Sequence, residues 1–138
     1  GTKAADQAKT SLAQAEATWR GGYADELLAA VVKAQKGADA LSGLLNTLSS
    51  GTKVSCSLIS MTSFGDTKLT IPSRFSSLQT AYNNYRSALT SLEEAKKIIV
   101  CTGIINWVTD NEINSANSKI NSAKSKLNQA KKAAEAAK

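Results

Sequence analysis

The sequence predicts an all-α fold: a four-helix bundle with one long crossover connection and a disulfide. Three observations carry this prediction. Apolar residues recur three and four positions apart over four stretches, which places them on one face of a helix. Alanine, serine, asparagine and lysine are abundant while aromatics make up 5% of the chain, a composition suited to helices packed closely through small side chains. The segment between the second and third stretches is far longer than the roughly two to eight residues usual between bundle helices. At 138 residues the chain is long enough for one domain with a real core.

The first stretch covers residues 3–20 and carries Ala5, Ala8, Leu12, Ala15 and Trp19 on its stripe. Gly21 and Gly22 are expected to end it, since two glycines cost ~2 kcal/mol in a helix interior. The second, residues 23–50, aligns Ala24, Leu27, Val31, Ala34, Ala38, Leu41, Leu45 and Leu48 in one seam. Asp25 and Glu26 occupy its first turn, where the helix dipole favours acids, and Gly51 supplies a stop. One continuous helix over both stretches would be ~70 Å long, against ~40 to 45 Å for the other two helices, and a third of its stripe would have no partner. Folding back at the glycine pair removes that difficulty and gives four helices.

The third stretch, residues 73–100, follows Pro72, a residue suited to a first helical turn, and carries Phe75, Leu78, Tyr82, Tyr85, Leu89 and Leu92. The fourth, residues 109–137, opens with Thr109-Asp110-Asn111-Glu112. In that capping box the Thr109 hydroxyl and the Glu112 carboxylate satisfy backbone amides that a helix start leaves unpaired. Ile113, Ala116, Ile120, Ala123, Leu127, Ala130, Ala134 and Ala137 then hold a 3.5-residue spacing, the signature of shallow coiled-coil packing.

Cys56 and Cys101 show no CxxC spacing and the chain has no histidine, which argues against zinc and thioredoxin-type chemistry. A structural disulfide is the expectation, with two buried thiols as the bland alternative. The bridge constrains topology. In an up-down-up-down bundle the end of the third helix lies ~40 Å from the end of the second. Cys56, about five residues past the second helix, can travel ~18 Å. The rest of the 51–72 strap can span ~50 Å, the length of the bundle. The expected order is therefore up-down-down-up, with the second and third helices parallel. Partial alternation around Val54, Cys56 and Leu58 suggests a short strand pair or an extended strap that covers a groove with Met61 and Phe64. The closed loop of about 45 residues would contribute ~3 to 4 kcal/mol on a chain-entropy estimate.

A disulfide implies an oxidising compartment: extracellular, at a cell surface or periplasmic. The most apolar run, 98–108, is about half the ~20 residues a membrane helix needs. A start at Gly1-Thr2-Lys3 fits a processed chain or a fragment, and no Asn-X-Ser/Thr sequon is present.

Without histidine there is no Ser-His or Cys-His nucleophile pair and no Glu-x-x-His metal set. The acid pairs Asp25-Glu26, Glu93-Glu94 and Asp110 with Glu112 stand at helix ends or beside lysines and read as solvated or capping groups. Ser50-Gly51-Thr52-Lys53 matches a Ser-x-x-Lys string but lacks the companion motifs of acylating enzymes. The sequence thus points to a non-enzymatic module with no cofactor.

Three candidate contact regions follow. Trp107 with Ile104 and Ile105 would form an apolar patch at the disulfide end. Met61 and Phe64 sit on the strap. Lys119, Lys124, Lys126, Lys131 and Lys132 concentrate much of the +6 net charge in the last helix. The bland reading buries Trp19 under the adjacent turn, lays the lysine stems along the core edge and pairs their heads with Asp6, Glu16, Glu93 or Glu94. A partner would be a protein or a polyanion such as a glycosaminoglycan or an anionic lipid. The last helix has no aromatic residue to stack on bases, so sequence-specific nucleic-acid recognition is not expected. Two other readings compete: a membrane-active, pore-forming protein that inserts 98–108, and an assembly subunit that oligomerises through Asn114, Ser115, Ser118, Asn121, Ser122, Ser125, Asn128 and Gln129.

Overall fold

A computed structural model describes residues 2–99, 101–102, 105–106 and 108–138, with Cys101, Thr102, Ile105 and Asn106 described by their backbone. The chain is mostly helical. Its elements are α1 (Thr2–Ser49), β1 (Val54–Ser55), α2 (Cys56–Met61), α3 (Ser76–Ile98), β2 (Cys101–Thr102), β3 (Ile105–Asn106) and α4 (Asp110–Ala136). Four helices are present among the described residues, but they are not the four expected.

The break expected at Gly21 and Gly22 does not occur: the first two stretches form one helix of 48 residues. Two causes outweigh the glycine penalty. Alanine, the strongest helix former, recurs through residues 4–17. Across the glycine pair, Trp19 and Tyr23 lie one turn apart with ring centroids at 6.1 Å, and both meet Phe75. Folding back would forfeit these contacts. The fourth helix is instead the short α2, inside the crossover.

α3 and α4 pack most extensively, α1 packs on α4, and α1 touches α3 little. Polar contacts show the directions. Lys124 Nζ lies 3.2 Å from Asp39 Oδ1 and Lys138 Nζ 3.3 Å from Asp25 Oδ1, so α4 runs against α1. Lys119 Nζ meets Glu94 Oε2 at 2.8 Å and Lys126 Nζ meets Ser87 Oγ at 2.8 Å, so α4 also runs against α3. The second and third sequence stretches are therefore parallel. The seam from Ala24 to Leu48 is buried together with Leu78, Tyr85, Leu92, Ile120 and Leu127. α4 begins with the expected box: Glu112 N donates to Thr109 Oγ1 at 3.1 Å and Thr109 N to Glu112 Oε1 at 2.9 Å. α3 starts at Ser76, three residues later than expected, after a turn in which Phe75 N donates to Pro72 O.

The crossover runs the length of α3. At one end Lys96 Nζ donates to Thr62 O at 2.8 Å, capping α2. Further along, Thr67 N donates to Tyr85 Oη at 3.1 Å and Leu69 N to Tyr82 Oη at 3.2 Å. The strap also crosses α1 at Gly37, where a Cβ would stand 2.2 Å from Ser63 O and 2.7 Å from Phe64 Cδ1. Phe64 is 1% exposed and belongs to the core, so it offers no contact surface. Of the strand pair or extended strap expected in the connection, no strand pair forms within the described strap; β1 pairs instead with the distant β3 through Val54 and Asn106, and β3 pairs with its chain neighbour β2 through Asn106 and Cys101. This sheet, in the order β1-β3-β2, gathers the C-terminal ends of α1 and α3 and the start of α4 at one pole.

Candidate functional site

The continuity of α1 leaves its first third outside the helical body. Residues 3–19 are exposed around the whole helix, whereas the seam from Ala24 onward is buried. This arm carries the stripe that the sequence had placed in a core. Leu12 is 72% exposed and Trp19 47%, so the expected burial of Trp19 under a turn is corrected: its ring packs on Tyr23, Phe75 and the Arg74 guanidinium and is otherwise open to solvent.

The arm meets the body at an aromatic and cationic junction. Trp19 and Phe75 are edge to face with centroids 5.7 Å apart. The Arg74 guanidinium stands 4.5 Å above the Trp19 ring and 5.0 Å from that of Phe75, and its Nε forms an ion pair with Glu16. Arg20 Nε donates to Ala137 O at 3.2 Å, tying the base of the arm to the end of α4. Lys9, Leu12, Ala15, Glu16, Trp19 and Arg74 border an open, mostly apolar groove along the arm. An apolar floor rimmed by a few charges can seat a partner's side chains.

The other candidates are placed as follows. Ile104 and Trp107 lie outside the described residues, and Ile105 stands in the central strand β3. At that pole Met61 is 77% exposed, beside Leu58 on α2. The lysines of α4 do not form a single ridge. Lys119 and Lys126 line the α3 edge, while Lys124 and Lys138 line the α1 edge, each with a polar partner. Lys131 continues the α1 line and is half-buried; Lys132 is exposed. The acids that pair with these lysines include Glu94, as expected, but also Asp39 and Asp25 on α1. Exposed pairs of this kind contribute about 0–1 kcal/mol each.

Three carboxyls are held below the usual carboxylate range. Asp66 is lowered chiefly by its hydrogen bond from Arg86, Glu94 by that from Lys119, and Glu112 by those from the Thr109 backbone N–H and hydroxyl. All three are structural pairings. Among the described residues no group of three His, Cys, Asp or Glu side chains could hold a metal, and no helix is long and apolar enough to cross a membrane.

The chain matches no protein-family model, and no curated protein or solved structure shows significant similarity to it. The reading of its surface therefore rests on its own geometry.

Leu12 and Glu16 of the arm, and Arg74 of the turn before α3, were not singled out by sequence as a contact site. The signal was present in the partnerless stripe of a continuous α1. Sequence alone points away from it, because an apolar stripe without a partner argues for folding back at the glycine pair.

Proposed function

We propose that this chain is a secreted or surface-displayed, non-enzymatic binding module that engages a partner macromolecule through the arm of α1. The observation that carries the reading is the 17-residue exposed segment 3–19, whose Leu12 and Trp19 remain in water beside a body that buries its other large seam residues. Leu12 and Trp19 line one face of a helix, an arrangement suited to a protein partner that lays an apolar surface against it. The lysines fit this reading less directly: four of the six cations from Lys119 onward already have polar partners, leaving Lys131 and Lys132 as a small basic spot for a polyanion.

The extracellular or surface location rests on a Cys56–Cys101 disulfide, which we include in the proposal. No free cysteine occurs among the described residues. Cys101 lies in β2 and Cys56 directly follows β1, so both cysteine-bearing segments belong to the same small sheet pole. Alkylation followed by intact-mass measurement tests the bridge: the oxidised chain should take up no alkyl group until reductant is added. Uptake of two groups without reductant would remove the bridge and the compartment argued from it.

Binding is tested on an array of secreted and surface proteins together with heparin and anionic vesicles, comparing the chain with a Leu12→Asp/Trp19→Ala variant. The expected result is a protein ligand whose affinity falls at least tenfold in the variant and changes little between low and high salt. Binding that is unchanged in the variant but collapses with salt would replace the arm with the lysines as the contact surface.

A further inference from the structure

The junction between arm and body combines a soft backbone with a side-chain clamp. Gly21 and Gly22 stand at the boundary between the last exposed turn and the first buried one. A Cβ at either position would meet no atom within 4 Å, so packing places no demand for glycine there. By contrast, Gly37 in the same helix is required by the strap that touches it. Each junction glycine weakens the helix relative to alanine, the residue that dominates the arm on its N-terminal side. The backbone of α1 is thus weakest at the one place where it leaves the body.

What holds α1 straight across that point comes from other elements. Arg74, in the turn before α3, covers Trp19 and ion-pairs with Glu16, both on the arm. Phe75 touches Trp19 on the arm side and Tyr23 on the body side, at 5.7 and 6.3 Å between centroids. Arg20 reaches the last turn of α4. The Arg74 and Glu16 side chains are about half exposed, so water can compete for their pairing.

We propose that Gly21 and Gly22 form a hinge and that Arg74, gripping Trp19 and Glu16, is its latch. With the latch closed the arm extends as a straight continuation of α1. With it open the arm swings about the glycine pair, and its Leu12–Trp19 face sweeps a range of directions. The hinge is independent of what the arm binds, and of whether it binds.

Pulsed electron spin resonance measures the motion directly. Nitroxides attached to ketone-bearing amino acids at positions 8 and 129 report the distance between arm and body and leave the cysteines untouched. The chain should show a long-distance peak with a shorter, broad tail. Arg74→Ala should enlarge the tail, and Gly21→Ala/Gly22→Ala should abolish it. Tryptic cleavage after Arg20 gives an orthogonal readout: it should quicken severalfold in Arg74→Ala and slow about tenfold or more in the double alanine variant. One narrow distance in all three proteins, with equal cleavage rates, overturns the hinge. Changes in the alanine variant without any in Arg74→Ala overturn the latch.

Discussion

The two halves of α1 share one helical backbone and differ in what makes them helical. From Ala24 to Leu48 the seam is built of leucine, valine and alanine that α4, the strap and α3 cover, so packing holds the helix. From residues 3 to 19 the seam is exposed apart from the contacts of Trp19 with Phe75 and Arg74, and the chain compensates with alanine at positions 4, 5, 8, 13, 15 and 17. The body half owes its helix to tertiary structure and the arm half to intrinsic propensity. A stripe at helical spacing therefore marks a helix in both halves, but a core in one of them.

The sharpest way to break the comparison is to delete the same side chain from each half. Leu41→Ala should cost about 3 kcal/mol of global stability, whereas Leu12→Ala should stay within about 0.5 kcal/mol, both read from urea denaturation. Equal losses would mean that the arm is buried in solution. Adding a methyl group to each half gives the second contrast. Gly37→Ala forces a Cβ into the Ser63 carbonyl and the Phe64 ring and should cost about 2 kcal/mol. Gly21→Ala should stabilise by about 0.5 to 1 kcal/mol, because the added methyl meets nothing.

Much of this architecture was legible in the sequence, and the exception has a physical cause. The α4 heptads and the Thr109–Glu112 box needed only local spacing, and both are present. The expected Cys56–Cys101 bridge, with a crossover long enough to allow it, implied that the second and third stretches run in the same direction, as they do. The continuity of α1 was not legible, because it turns on a balance between two glycines and contacts made by Arg74 and Phe75, some fifty residues away in sequence. The arm as a contact surface was missed for the same reason: a stripe was assumed to have a partner. The candidate pairing of lysines with acids was foreseen in kind, but not the share taken by Asp25 and Asp39 of α1.

Smaller effects sharpen the comparison from the body side. Thr109→Ala should cost about 1 kcal/mol by removing one half of the capping box, seen as a lower urea midpoint with an unchanged slope. Asp66, Glu94 and Glu112 all serve the body, and all are depressed below their ordinary values of 3.8 and 4.5. A depressed carboxyl stabilises the fold above its unfolded value, and that contribution disappears as the pH falls through the folded one. The urea midpoint should therefore hold from neutral pH down to about 5 and decline below about 4. A midpoint that rose on acidification would contradict these pairings.

The three-stranded sheet also carries a consequence for biosynthesis. The β2–β3 rung joins neighbours in the chain, and the helices on either side of it, α3 and α4, form the most extensive interface of the molecule. Such local contacts are expected to close early, whereas the β1–β3 rung closes a loop of about fifty residues and is expected later. A ribosome delivers α1 before α4, the helix that covers much of its seam. Until α4 emerges, Leu27, Val31, Leu41 and Leu45 of the nascent chain lack that cover, and this interval is where a chaperone would act.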